Sequence, residues 1–114
     1  MSKKIETNWD ELWPIINVLN EVRFGINLDP HKENIVNYAG IPKLIEKLAA
    51  HELLEENSKK TFGLDFNKIE ILMIISCFDA VLNKIEEWEF HSRIGIYTSD
   101  ALMIKEKFSS EIFL

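Results

Sequence analysis

His51 and Glu55 stand four residues apart, and so do Glu87 and His91. On a helix such pairs share a face, and a histidine with a carboxylate supplies two ligands for zinc or a related cation. Two helices meeting at these pairs would make a four-ligand site. The same spacing arises on any acidic helix face, however, and the patterns that make a metal site specific are missing. There is no Cys-x-x-Cys, no His-Glu-x-x-His and no repeated Glu-x-x-His. No metal and no cofactor is expected.

Nucleophilic chemistry has little to draw on. Cys77 lies in the apolar run Ile71 to Phe78, where burial holds a thiol protonated and unreactive. Ser76 and Asp79 are near neighbours in the same run, without the glycine-bracketed turn that exposes a catalytic hydroxyl. Asp79 is read as the point where this run meets solvent or pairs with a lysine or arginine. The four glycines are isolated, so no Gly-x-Gly-x-x-Gly or Walker cradle for phosphate is present. The chain is expected to have no catalysis of its own.

Two opposed binding chemistries remain. Ala39-Gly40-Ile41 is a tight joint between two short helical segments, as in a helix-turn-helix spanning residues 30–56. Lys43 and Lys47 would then open the recognition helix. Against this, Glu46 separates the two lysines, and a formal net charge of −6 opposes approach to a polyanion. The acidic alternative is better furnished. Glu52, Glu55 and Glu56 close one helical segment and Glu86, Glu87 and Glu89 close another, and these six are the candidate contacts for a basic protein partner. The expected function is a small protein-interaction module, of which an immunity-type inhibitor of a nuclease toxin is one instance, its carboxylates standing in for substrate phosphates. A DNA-associated regulator using residues 30–56 is the rival.

The elements that must position these residues are punctuated by glycine. Each of Gly25, Gly40, Gly63 and Gly95 precedes a branched aliphatic residue, the pattern of a helix stopped by a left-handed glycine. Helix-start residues follow each of them: Asp29-Pro30, Ile41-Pro42, Asp65 or Asn67, and Thr98-Ser99. The expected fold is all-α, a compact single domain over residues 1–114 with about five helices around a long central fourth.

The first helix spans about Asn8 to Phe24, with Thr7 or Asn8 as cap; Pro14 either kinks it or precedes its true start near Trp13. The second spans Pro30 to Ala39. The third begins at Pro42 and carries Leu44, Ile45, Leu48, Ala49 and Leu53 on one face, before a polar loop at 57–61. The fourth runs from about Phe66 to Phe90, apolar nearly all round between Ile71 and Phe78, then narrowing to the stripe Val81, Leu82, Ile85 and Trp88. The fifth spans about Asp100 to Phe113, after a link at Ile94 to Tyr97 that is either extended or loop. Phe24-Gly25-Ile26-Asn27 and Phe62-Gly63-Leu64-Asp65 are alike, but their flanks differ, so shared stop chemistry explains them better than duplication.

A chain of 114 residues with 46% apolar content can bury one core without staples. A single cysteine suits a reducing compartment. The first residues lack the apolar stretch of a secretory leader, and the longest apolar run is far short of the roughly 20 residues that cross a bilayer. A cytoplasmic protein without membrane association is expected. Trp9 and Trp13 share a helix face and belong mostly to core packing; an exposed Trp9, or the segment Ile112-Phe113-Leu114, would instead serve docking or a homodimer contact.

Overall fold

The computed structural model describes residues 2–25, 29, 31–51 and 61–112. It is mostly helical, and it adds something the helical punctuation does not announce: a two-stranded antiparallel ribbon. Strand β1 (Ser2–Thr7) pairs with β2 (Phe62–Asn67), with Ile5 opposite Leu64 and Lys4 opposite Asp65. Both strands alternate strictly. Ile5, Thr7, Leu64 and Phe66 face the core, while Lys4, Glu6, Asp65 and Asn67 face out. Period-two burial on short segments is what a half-buried strand requires. Lys47 donates to the Asp65 carbonyl and Lys107 to the Glu6 carbonyl, so each strand has an ammonium group on its outer edge.

Helix α1 (Trp9–Asn20) starts at Trp9, which settles the alternative at Pro14: the proline is buried inside the helix. Asn8 is the cap, its side chain accepting from the Glu11 amide at 3.0 Å. A π-helical turn, Glu21–Gly25, continues it. The expected second helix is absent. Residues 31–37 form turns, and Tyr38–Gly40 is a single 3-10 turn. Asn34 and Asn37 hold φ of 57° and 49°, left-handed conformations that asparagine tolerates and that no helix can continue through. Helix α2 (Ile41–Ala49) follows, with its proline in the first turn and Ile41, Leu44 and Leu48 buried.

The long fourth helix resolves into three elements. Its first residues belong to β2. Helix α3 (Lys68–Lys84) opens on a complete capping box, in which Asn67 accepts from the Glu70 amide and Glu70 accepts from the Asn67 amide. The helix ends at Ile85, whose backbone is extended and whose side chain enters the core. Helix α4 (Glu87–Ile94) follows after the extended residues Ile85 and Glu86, and α5 (Thr98–Ile112) is the last described element. Breaking at Ile85 lets Phe90 and Ile94 reach the core; a continuous helix would have followed the stripe to Trp88 and buried that side chain between glutamates.

Helix α3 packs against α5, α1 and β2 and contributes seven buried residues. Phe66 and Phe108 meet edge to face at 5.3 Å. Of the four glycines, one acts as the expected helix stop: Gly95 caps α4 with φ of 96°. Gly63 lies in β2 beneath the Lys4 side chain, Gly25 closes the π-turn, and Gly40 has φ of −88°. The two Phe-Gly-aliphatic-Asx segments therefore begin in unlike structures, a π-turn and a strand, which removes the duplication; Ile26 and Asn27 lie outside the described residues.

Candidate partner-binding surface

One row of α1 fastens α4. Trp13, Asn17, Glu21 and Gly25 recur every four residues and so fall on one face of the helix and its π-turn. The Trp13 ring lies over Gly95, so close that a methyl group there would collide with the indole. Asn17 Nδ2 donates to the Ile94 carbonyl at 2.9 Å, satisfying one of the carbonyls that every helix leaves open at its C-terminus. Glu21 Oε1 is 3.4 Å from Arg93 Nε, and Arg93 Nη2 donates to the Gly25 carbonyl at 3.3 Å. Glu21 Oε2 is buried without a hydrogen-bond partner among the described residues. Apart from Phe90 and Ile94, this polar seam holds α4 in place.

The opposite face of α4 is turned outward. Glu86 is the residue before the helix and makes no side-chain capping bond; Glu87 accepts from Thr98 Oγ1 at 3.2 Å. Trp88 is 73% exposed. His91, one turn further on, stacks on Tyr97 with ring centres 4.2 Å apart. Thus α4, the residue before it and the link to α5 present Glu86, Glu87, Trp88, His91 and Tyr97 near one another. Glu89 points towards the seam and pairs with Arg93 at 3.5 Å, so its charge is already opposed.

Of the six glutamates singled out by the sequence, Glu86 and Glu87 therefore flank an exposed tryptophan and Glu89 serves the seam. All three stand at the start of α4 instead of closing a long helix. Glu52, Glu55 and Glu56 lie outside the described residues. Trp88, His91 and Tyr97 were not in the acidic set. The available signal was Glu86-Glu87-Trp88-Glu89 itself, because a tryptophan wedged among three acids cannot be buried on a short helix without taking charge with it.

The other chemistries fare differently. His51 stacks on Phe62 at 5.1 Å, Glu55 is outside the described residues, and Glu87 and His91 are engaged by Thr98 and Tyr97. Among the described residues, no three histidine, cysteine or acidic side chains are grouped as metal ligands would be. Cys77 is buried, and desolvation pushes its thiol up to about 12, opposed in part by a hydrogen bond with Ser76. The Ser76 hydroxyl is occupied structurally: it accepts from the Val36 amide and donates to the Met73 carbonyl, both at 3.1 Å. Asp79 pairs with Lys105 on α5.

Lys47 binds Glu70 at 2.9 Å as well as the Asp65 carbonyl, and the segment before α2 is turn structure, so the helical pair imagined for residues 30–56 lacks its first member. No described helix is long and apolar enough to cross a membrane.

Fold and surface together define a mostly helical protein with a small β-ribbon and one helix whose outer face is acidic and aromatic. No family model matches the chain, and neither curated proteins nor solved structures match it at a significant level.

Proposed function

We propose that this protein is a non-catalytic interaction module that presents the outer face of α4 to a basic protein partner. The observation that carries the reading is Trp88, 73% exposed beside Glu86 and Glu87 on a helix held from behind by a separate seam. Exposed tryptophans are the side chains most often found to dominate binding energy, and a rim of carboxylates selects a cationic partner and speeds its approach. The formal charge of −6 acts in the same direction over longer range. An inhibitor that covers the phosphate-binding surface of a nuclease toxin, in the manner of an immunity protein, is the instance of this chemistry we favour.

The test is a photo-crosslinking amino acid at position 88 in the native cell, with the exposed Lys68 at the start of α3 as the control position. The reading expects a crosslink to a protein of high isoelectric point. That crosslink is specific to position 88, diminished by E86Q/E87Q and weakened by added salt. A crosslinked protein indifferent to both the charge change and the salt overturns it, as does identical crosslinking from position 68. Tight binding to duplex DNA at physiological salt would replace it with the nucleic-acid reading.

A further inference from the structure

A second surface lies where the N-termini of α1 and α5 converge. Ile96, Met103 and Ile104 floor an open groove of about 410 Å³, and Asp10 and Asp100 stand on its rims. The two aspartates are far apart in sequence and line the same groove only through the tertiary fold. Met103 is 68% exposed and its neighbour Leu102 51%, so the first half of α5 leaves apolar side chains uncovered beside the groove. One end of the groove is closed by Glu11 and Lys107, which pair at 2.7 Å; Glu11 also accepts from Thr7 and Lys107 also donates to the Glu6 carbonyl. The cation lining the groove is thereby committed. Neither Asp10 nor Asp100 has a side-chain ion pair or hydrogen bond among the described residues. The groove therefore combines apolar lining with two carboxylates that no described side chain pairs, each in the first turn of its helix. It also adjoins the α4 face, since Thr98, in the same first turn of α5 as Asp100, binds Glu87.

We propose that this groove seats an arginine side chain of the basic protein partner, an inference that rests on the reading of the α4 face above. The alkyl stem lies on Ile96 and Met103, and the guanidinium reaches the carboxylates of Asp10 and Asp100. Arginine fits this surface better than lysine. Its planar fork directs donors to two carboxylates at once, and it is less strongly hydrated, so it enters a half-apolar groove at smaller cost. A neutral apolar occupant would leave both rim charges facing it without compensation.

The experiment is titration of the intact protein with n-butylguanidinium, followed by amide and methionine-methyl NMR shifts. N-butylurea serves as the uncharged analogue of the same shape. Saturable shifts centred on Asp10, Asp100 and Met103 are expected, weakened about tenfold in D10N/D100N. Because both aspartates sit in first turns, M103A supplies an independent variant. It should weaken n-butylguanidinium while leaving methylguanidinium unchanged.

Equal shifts from N-butylurea overturn the proposal, as do shifts confined to Glu86, Glu87 and Trp88. Self-association through Met103 on concentrating the protein without any probe also overturns it. The two readings fail separately. A crosslink at position 88 with no guanidinium response in the groove removes the groove alone, whereas the absence of both removes the basic partner itself.

Discussion

Helices α3 and α4 are neighbours in the chain and solve opposite problems. Helix α3 is closed at its start by a capping box and buries Ile71, Met73, Ile74, Cys77, Phe78, Ala80 and Val81. Each large side chain among them contributes about 1.5–3 kcal/mol by leaving water. Helix α4 buries Phe90 and Ile94 alone and depends on a few directed contacts from Trp13, Asn17 and Glu21. In α3 nearly every position is dictated by the volume it must fill. In α4 the anchors occupy one side, and the other is left to residues that the fold does not need. The contrast teaches where function has room: on the element held by a narrow seam.

The largest effect that tests this contrast is Phe78→Ala. It should cost about 3–5 kcal/mol by urea denaturation, because Phe78 is fully buried in the middle of α3. A loss below about 1 kcal/mol would show that α3 is not the packing centre.

Alkaline pH probes the same helix. The folded state holds the Cys77 proton up to about 12, against 9.0 for an ordinary thiol. The unfolded chain therefore releases that proton first, and stability contributed by this group is lost as pH rises above 9.0, at no more than about 1.4 kcal/mol per pH unit. The measurement is the difference in slope between the native protein and Cys77→Ala, which should lose this component; equal slopes would place Cys77 in contact with water.

The seam of α4 should respond to smaller changes. Gly95→Ala should cost about 1–3 kcal/mol, since φ of 96° is strained for alanine and the new methyl meets the Trp13 ring. Gly40→Ala is its control, expected within about 0.5 kcal/mol, because Gly40 has an ordinary φ and faces the movable end of the Asn37 side chain. Asn17→Ala should cost about 1 kcal/mol by removing the bond to the Ile94 carbonyl. Equal melting temperatures for Gly40→Ala and Gly95→Ala would break the seam argument. Smallest of all, Trp88→Ala should leave the unfolding free energy from urea denaturation within about 0.5 kcal/mol of the native value; a larger loss would mean that the outer face of α4 is part of the fold.

Local chemistry was legible wherever one residue type has one dominant use. Asn8 as a cap, Gly95 as a left-handed stop, Pro42 in a first turn, Cys77 as a buried thiol and Asp79 paired with a lysine all follow from side-chain properties and nearest neighbours. Three readings failed for a common reason. Asn67 does start a helix, as one of the two residues offered for it, but the strand that precedes it was not expected, because its hydrogen bonds come from a second strand at the opposite end of the chain. Residues 31–37 have helical composition but turn at two left-handed asparagines, held in part by the Ser76 hydroxyl. The stripe that ran from Val81 to Trp88 was broken at Ile85 so that Phe90 could be buried.

By itself, then, the sequence determined a predominantly helical chain, the caps at Asn8 and Asn67, the stop at Gly95, a buried apolar centre between Ile71 and Phe78, and a surplus of negative charge. These depend on side chains within a turn or two of one another, where sterics and hydrogen bonding are local. Tertiary structure alone decided the β-ribbon, the division of α3 from α4, the exposure of Trp88, and the placement of Asp10 and Asp100 on one groove. Each of these requires a partner from a distant part of the chain, and periodicity states only that a face is apolar; which other face covers it, or leaves it uncovered, is settled by how all the faces fit together.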